Sequence, residues 1–423
     1  MTVRGQVYHA MPNEVARGLG IPREDIPDQE NAAWLYLQAV NALPVEPEGR
    51  AFEQQYSAAL KDPWGPAQDE EFYAWFQKTE EARELFRKAA AMPRCQFPVL
   101  TAKAGQTFLA ALMMPQLSAM RQLARLMAIE GRLLEQQGKV REALELYLAA
   151  FRMGGHLGRE PILITGLVGI ACQGIGCKAI RDCLARHDMQ KDVLAWLAGE
   201  LGALEGKLPD GSAWIAGERA MAVQIAGMAP DEALAAIEAP GPTAGPLRSF
   251  MKSRAFHILW PDRTIRRDFD RFYNAVERLA QLPPWECAAA IRRQPEEKFV
   301  AEHVKDWNVL PWMLVPAFER AEVRYIQNAA DFSALRLGVA LRLYRADHAA
   351  YPDTLDALAP DYLAVLPPDP FSGQGFHYRR EADGWVLWSV GPDQDDDAGR
   401  EGEARRGEDG DLVYRPRLTE GTQ

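Results

Sequence analysis

The chain lacks most of what announces an enzyme, a disulfide scaffold or a nucleic-acid binder. Its 423 residues contain no GxSxG nucleophile elbow, no HExxH helix and no Walker P-loop. The seven histidines are dispersed at 9, 156, 187, 257, 303, 348 and 377. Only His156, in Gly154-Gly155-His156, and His303, near Glu302 and Asp306, have a setting suited to proton transfer. Structural roles are expected for both. Bases are outnumbered: 48 Lys and Arg against 59 Asp and Glu give a net charge of -11. A nucleic-acid partner is therefore not expected, because phosphate binding needs clustered cations to displace counterions.

Cysteine is scarce and odd in number. Cys95, Cys172, Cys177, Cys183 and Cys287 are scattered and form no disulfide framework. Cys172, Cys177, Cys183 and His187 contain the right atoms for zinc, but the CxxC spacing is missing. On a helix only Cys183 and His187, four apart, share a face, so buried free thiols are expected. Long apolar runs are also absent. The uncharged stretches Ala104 to Met120 and Pro161 to Cys177 fall short of a bilayer span and predict buried core helices. The opening Met1-Thr-Val-Arg-Gly-Gln-Val-Tyr8 has no apolar core segment of a signal peptide, so a membrane role is expected only through an anchor not present in this chain.

What is present is ample burial capacity, 48% hydrophobic residues, in a chain long enough for two or three domains. Residues 1 to 30, rich in Pro, Gly and charge, predict an extended lead-in. Residues 31 to 315 predict a helical domain. Asn31 to Leu43 and Glu70 to Gln77 place apolar groups three and four apart. Gln122 to Gln136 and Lys139 to Phe151 predict two helices joined at Gln137-Gly138, the second with Val140, Ala143, Leu144, Tyr147, Leu148 and Phe151 on one stripe. This pair resembles the centre of a tetratricopeptide repeat. One copy does not make a solenoid, so the expectation is an irregular, solenoid-like helical-hairpin domain.

Gly174 to Ala179 matches GxGxxA, yet its flanks read as helix, which favours packing glycines over a dinucleotide fingerprint. Asp262 to Leu282 predicts an amphipathic helix with Ile265, Phe269, Phe272, Val276 and Leu279 on its apolar side. Trp285, Trp307 and Trp312 cluster near the end of this region, where core packing is expected. Together with the glycine-rich stretch they motivate an alternative: an enzyme or small-molecule receptor with a pocket in the helical domain.

Residues 316 to 423 predict a second, α+β domain. Phe318, Ala321, Tyr325, Phe332, Leu335, Val339, Leu343 and Tyr344 form a long helical stripe that Tyr351-Pro352 should end. Thr354 to Leu358 suggests a short helix. Phe376 to Arg380 and Trp385 to Ser389 predict a hairpin, and Leu412 to Tyr414 a third strand. Between the last two lies an acidic loop, 391 to 411. From Asp393 to Asp411, nine acids against three arginines carry six of the chain's eleven net negative charges. Asp393-Gln394-Asp395-Asp396-Asp397 offers closely spaced hard oxygens of the kind calcium prefers. An EF-hand is excluded, because Ala398 and Ala404 occupy the positions of its turn glycine and bidentate glutamate.

The ordered motifs Ala340 to Pro352, Leu366-Pro367-Pro368-Asp369-Pro370-Phe371 and Trp388-Ser389-Val390-Gly391-Pro392-Asp393 resemble the globular head of the major pseudopilin of type II secretion. The resemblance covers about Ala317 to Tyr414. It implies a long helix on a small antiparallel sheet, no catalytic task, and a calcium ion held by the loop. Carried onto this sequence, Asp393 matches one ligand and either Asp409 or Asp411 the other; local chemistry adds Asp395 and Asp397. Gln394 departs from the family's glycine, and the loop contains Arg400, Arg405 and Arg406. A pseudopilin's leader and filament helix are also missing, and some three hundred residues of helical pattern stand before the head. The expectation is therefore a non-enzymatic structural or protein-interaction protein of the bacterial cell envelope, with an unidentified protein partner and a calcium-stabilised, reused head domain.

Overall fold

A computed structural model describes residues 1–46, 52–61, 64–101, 114–206, 211–226, 262–293, 318–382, 384–401 and 410–416. The protein is mainly helical with a small antiparallel sheet near its C-terminus. The N-terminal stretch, expected as an extended lead-in, instead carries short elements. Strands β1 (Thr2–Val3) and β2 (Gln6–Val7) form a ladder, followed by β3 (His9–Ala10) and helix α1 (Asn13–Gly18). Strand β3 pairs with β4 (Leu100–Thr101), and Met11, Ala16 and Ile21 are buried with Val99. Burial of these apolar residues overrides the local preference of a Pro- and Gly-rich segment for extended chain.

Helices α2 (Ala32–Ala42), α3 (Phe52–Lys61), α4 (Glu70–Lys78) and α5 (Glu80–Ala90) follow. Asn31 and Asp69 cap α2 and α4, their side chains accepting from the Ala33 and Phe72 amides. The predicted hairpin is α6 (Leu117–Gln136) and α7 (Val140–Leu157), turned at Gly138 with φ 76°. Both helices are buried on more than one face, and α8 (Leu163–Arg186) lies against them. Small residues set this approach: a Cβ on Gly176 would come 2.7 Å from the Tyr147 carbonyl oxygen. The GxGxxA string lies inside α8, with no strand before it, so the dinucleotide reading fails and packing accounts for Gly176. Helix α8 is long and apolar enough to cross a membrane, but 56% of its most apolar window is buried in protein. Most of Ala104 to Met120 lies outside the described residues.

Helices α9 (Lys191–Leu204), α10 (Ser212–Ala226), α11 (Asp262–Ala280) and α12 (Pro284–Arg293) continue the chain to α13 (Phe318–His348). In α11, Phe269, Phe272 and Val276 are buried as their spacing predicts. Helix α13 stops three residues before Tyr351-Pro352, at Ala349 with φ 57°, a conformation that ends a helix by itself. Thr354 to Leu358 narrows to one 3₁₀ turn, Leu355–Leu358. The hairpin β5 (His377–Glu381) and β6 (Gly384–Ser389) pairs His377 with Trp388, and β7 (Leu412–Tyr414) adds to β6 in the order β5-β6-β7.

Two cores share α13. Phe332, Leu335, Val339 and Leu343 are buried with α6, α7, α8 and α9. Ile326, Ala330, Leu337 and Leu341 are buried with Phe371, Phe376, Trp385, Leu387 and Tyr414. Burying both faces of one 31-residue helix fixes the sheet, and hence the acidic loop, relative to the helical region.

Candidate functional site

The acidic loop leaves the end of β6 and returns into β7, so both ends are anchored in the sheet. Its base is Asp369, fully buried in the Pro-Pro-Asp-Pro-Phe motif. The Asp369 carboxylate accepts from the Ser389 hydroxyl (2.7 Å), the Ser372 hydroxyl (3.2 Å) and the amides of Phe371 (3.0 Å) and Val390 (3.2 Å). Four donors satisfy a buried carboxylate and lock the strand end from which the loop departs.

Among the described residues of the loop, Gly391, Gln394, Ala398, Gly399 and Gly410 lie in the left-handed region. Gly391 is required there twice over, since a Cβ would also come 2.6 Å from the Gly410 carbonyl oxygen. Gln394, where the resembled family has glycine, adopts φ 58°, the conformation glycine takes at least cost. Its side chain donates to the carbonyls of Phe371 (2.6 Å) and of Trp285 on α12 (3.0 Å), offsetting that cost. Trp285 itself lies over Gly373, where a Cβ would be 2.6 Å from the indole. Trp285 thus serves as packing between α12 and the sheet region; Trp307 and Trp312 lie outside the described residues.

The predicted ligands divide clearly. Asp393 and Asp411 are buried, 8% and 3% exposed, near the two ends of the loop. Asp393 accepts from the Gly410 amide (2.7 Å) and the Asp395 amide (3.2 Å). Asp411 Oδ2 accepts from the Gly399 amide (2.7 Å), whereas its Oδ1 is buried with no hydrogen-bond donor among the described residues. Burial raises the Asp411 pKa. The Gly399 and Asp397 amides oppose this shift, and the charges of Asp396 and Asp397 add to it. Asp395 is exposed, and Asp397 makes an ion pair with Arg400 (3.3 Å). Asp396, which the sequence reading did not single out, accepts from the Trp388 indole N–H (2.9 Å) and the Ala398 amide (2.9 Å) and so shapes the turn. Asp409 lies outside the described residues.

A second acidic centre was missed. Glu135 of α6 is completely buried at the side chain and accepts from Tyr147 (2.5 Å), from Arg186 through Nε and Nη2 (2.9 Å each), from Arg132 (3.1 Å) and from His187 (3.0 Å). Cys183, His187 and Glu135 bring three ligand-type atoms within 4.8 Å of one another. The pairing of Cys183 with His187 was legible from their spacing; Glu135, on another helix, was not. Burial would raise the Glu135 pKa, but the Arg186 and Tyr147 hydrogen bonds and the charges of Arg186 and Arg132 leave it lowered. Burial also raises the Cys183 thiol pKa, with the Glu135 charge adding to the shift. A carboxylate engaged by two guanidinium groups, a phenol and an imidazole makes a structural ion-pair node. Cys172 and Cys177 are buried in different cores, so the four-residue zinc set is not assembled.

His156 is buried, with Nδ1 3.0 Å from the Tyr36 hydroxyl. Burial and the nearby Arg159 charge push its pKa down to about 4, so it is neutral at physiological pH. It borders a cleft of about 320 Å³ with Arg152, Arg159 and Gln173, and no carboxylate among the described residues joins it there. His303 lies outside the described residues. No family model, curated protein or solved structure matches this chain.

Proposed function

We propose that this is a non-enzymatic structural or protein-interaction protein of the bacterial cell envelope, carrying a pseudopilin-like C-terminal module stabilised by calcium on a solenoid-like helical scaffold. The observation that carries the metal reading is the buried Asp411 Oδ1, without a donor among the described residues, in a loop of like charges that also buries Asp393. A buried carboxylate oxygen without a donor is costly, and a hard cation satisfies it where another acid cannot. Asp393 and Asp411 would hold the ion, with Asp395, Asp397 and Asp409 as further ligands, and the ion's role is to neutralise the loop and tie β6 to β7. The long helix under a three-stranded antiparallel sheet supports the pseudopilin-like reading, and the α6-α7 hairpin supports a repeat-like scaffold. No nucleic acid is part of the proposed role, given the net charge of -11.

Because α13 belongs to both cores, the test uses the full chain. Calorimetric titration with calcium should give saturable binding that Asp393→Ala removes. No saturable binding by the unaltered chain, or an unchanged titration in Asp393→Ala, would refute the metal reading.

A further inference from the structure

Far from the acidic loop, α1 and the segment after it, the residues following α5 and the turn after α7 enclose a cleft of about 670 Å³. Arg17, Arg23, Arg94 and Arg159 line it, with Glu24 and Glu160 the lining acids. Four guanidinium groups thus converge on one cleft in a chain of net charge -11. Arg23 and Glu160 form the floor. Their side chains are 3% and 6% exposed and paired at 2.9 Å, and the Phe97 amide donates to Glu160 at 2.6 Å. Arg23 Nε is buried with no acceptor among the described residues.

Arg17 and Arg94 are held differently. Arg17 pairs with Asp25 at 3.1 Å, and Arg94 with Glu30 at 3.1 Å and Glu24 at 3.3 Å; these three acids are 57 to 74% exposed. Exposed pairs of this kind contribute about 0–1 kcal/mol, so an incoming oxyanion can replace them at little cost. Guanidinium groups are suited to that exchange because they meet carboxylate or phosphate through two parallel N–H bonds. Ile21, Ile26, Pro93 and Pro161 add apolar wall for an organic body, and the volume is that of a small-molecule site.

We propose that this cleft binds a small organic polyanion, bearing carboxylate or phosphate groups, through Arg17, Arg94 and Arg159. The site is independent of the calcium reading.

The test is calorimetric titration of the full chain, at fixed ionic strength, with citrate and separately with pyrophosphate. Saturable binding of either probe, weakened about tenfold or more in Arg17→Gln/Arg94→Gln, is the expected result. Citrate alone assigns carboxylate chemistry and pyrophosphate alone assigns phosphate chemistry. A thermal midpoint without anion establishes that the double variant is folded; if it is not, Arg159→Gln is read by the same criterion. The proposal is overturned if neither probe binds saturably, or if the folded variant binds as tightly as the unaltered chain.

Discussion

Glu135 and Asp411 are both buried carboxylates, and they stand in opposite states. Glu135 has donors on both oxygens, from Tyr147, Arg132, Arg186 and His187. Asp411 has the Gly399 amide on one oxygen, no donor on the other among the described residues, the Asp397 amide as a weaker support, and Asp396 and Asp397 as charged neighbours. Their pKa values move accordingly, Glu135 down and Asp411 up. Burial opposes ionisation at both, so the difference comes from the surrounding charge. A saturated acid holds helices together; an undersupplied one calls for a cation.

The largest effect should come from Glu135→Ala. Removing one partner of a buried ion-pair node leaves Arg186 and Arg132 uncompensated and should cost about 3–5 kcal/mol in denaturant unfolding, unchanged by calcium. A loss under about 1 kcal/mol would place this node with weak surface pairs and break the comparison. Next, calcium at a hundred times its dissociation constant should stabilise the full chain by about 2.7 kcal/mol, and a chelator should reverse the gain.

The pH dependence should carry opposite signs at the two acids. The Glu135 pKa is lowered on folding. Its contribution is present above the ordinary carboxylate range, about 4.3, and is lost as pH falls through its folded pKa. The Asp411 pKa is raised. Without metal its contribution is fullest below the ordinary aspartate value, about 3.9, and is lost as pH rises through its folded pKa. Stability measured against pH for the unaltered chain, Glu135→Gln and Asp411→Asn separates the two. The same sign at both sites would contradict the assignment. The smallest effect is expected at Gln394→Gly, which keeps φ 58° and loses the bonds to Trp285 and Phe371. It should cost about 1 kcal/mol and leave the calcium response in place.

How much of this was legible follows from the range of each interaction. Local patterns located α2, the α6-α7 hairpin, α11 and all three C-terminal strands, because apolar period and turn residues are encoded within a few positions. The burial of the N-terminal segment against Val99 and the doubled packing of α13 depend on residues far apart in sequence and left no local trace. The same rule divides the sites. Asp393 and Asp411 stood out as part of a dense acidic run, and Cys183 and His187 through helical spacing. Glu135 lies 51 residues from Arg186, so the node it forms is a product of tertiary packing. Gln394 looked like a departure from a glycine position; its side-chain bonds to two carbonyls explain how a non-glycine residue holds that turn.

The claim that Asp411 is an acid in need of a cation is tested most directly by denaturant unfolding of the full chain and of Asp411→Asn, each with and without calcium. The account predicts a calcium-dependent rise in the midpoint for the unaltered chain and none for Asp411→Asn. An equal rise in both, or none in either, would contradict it.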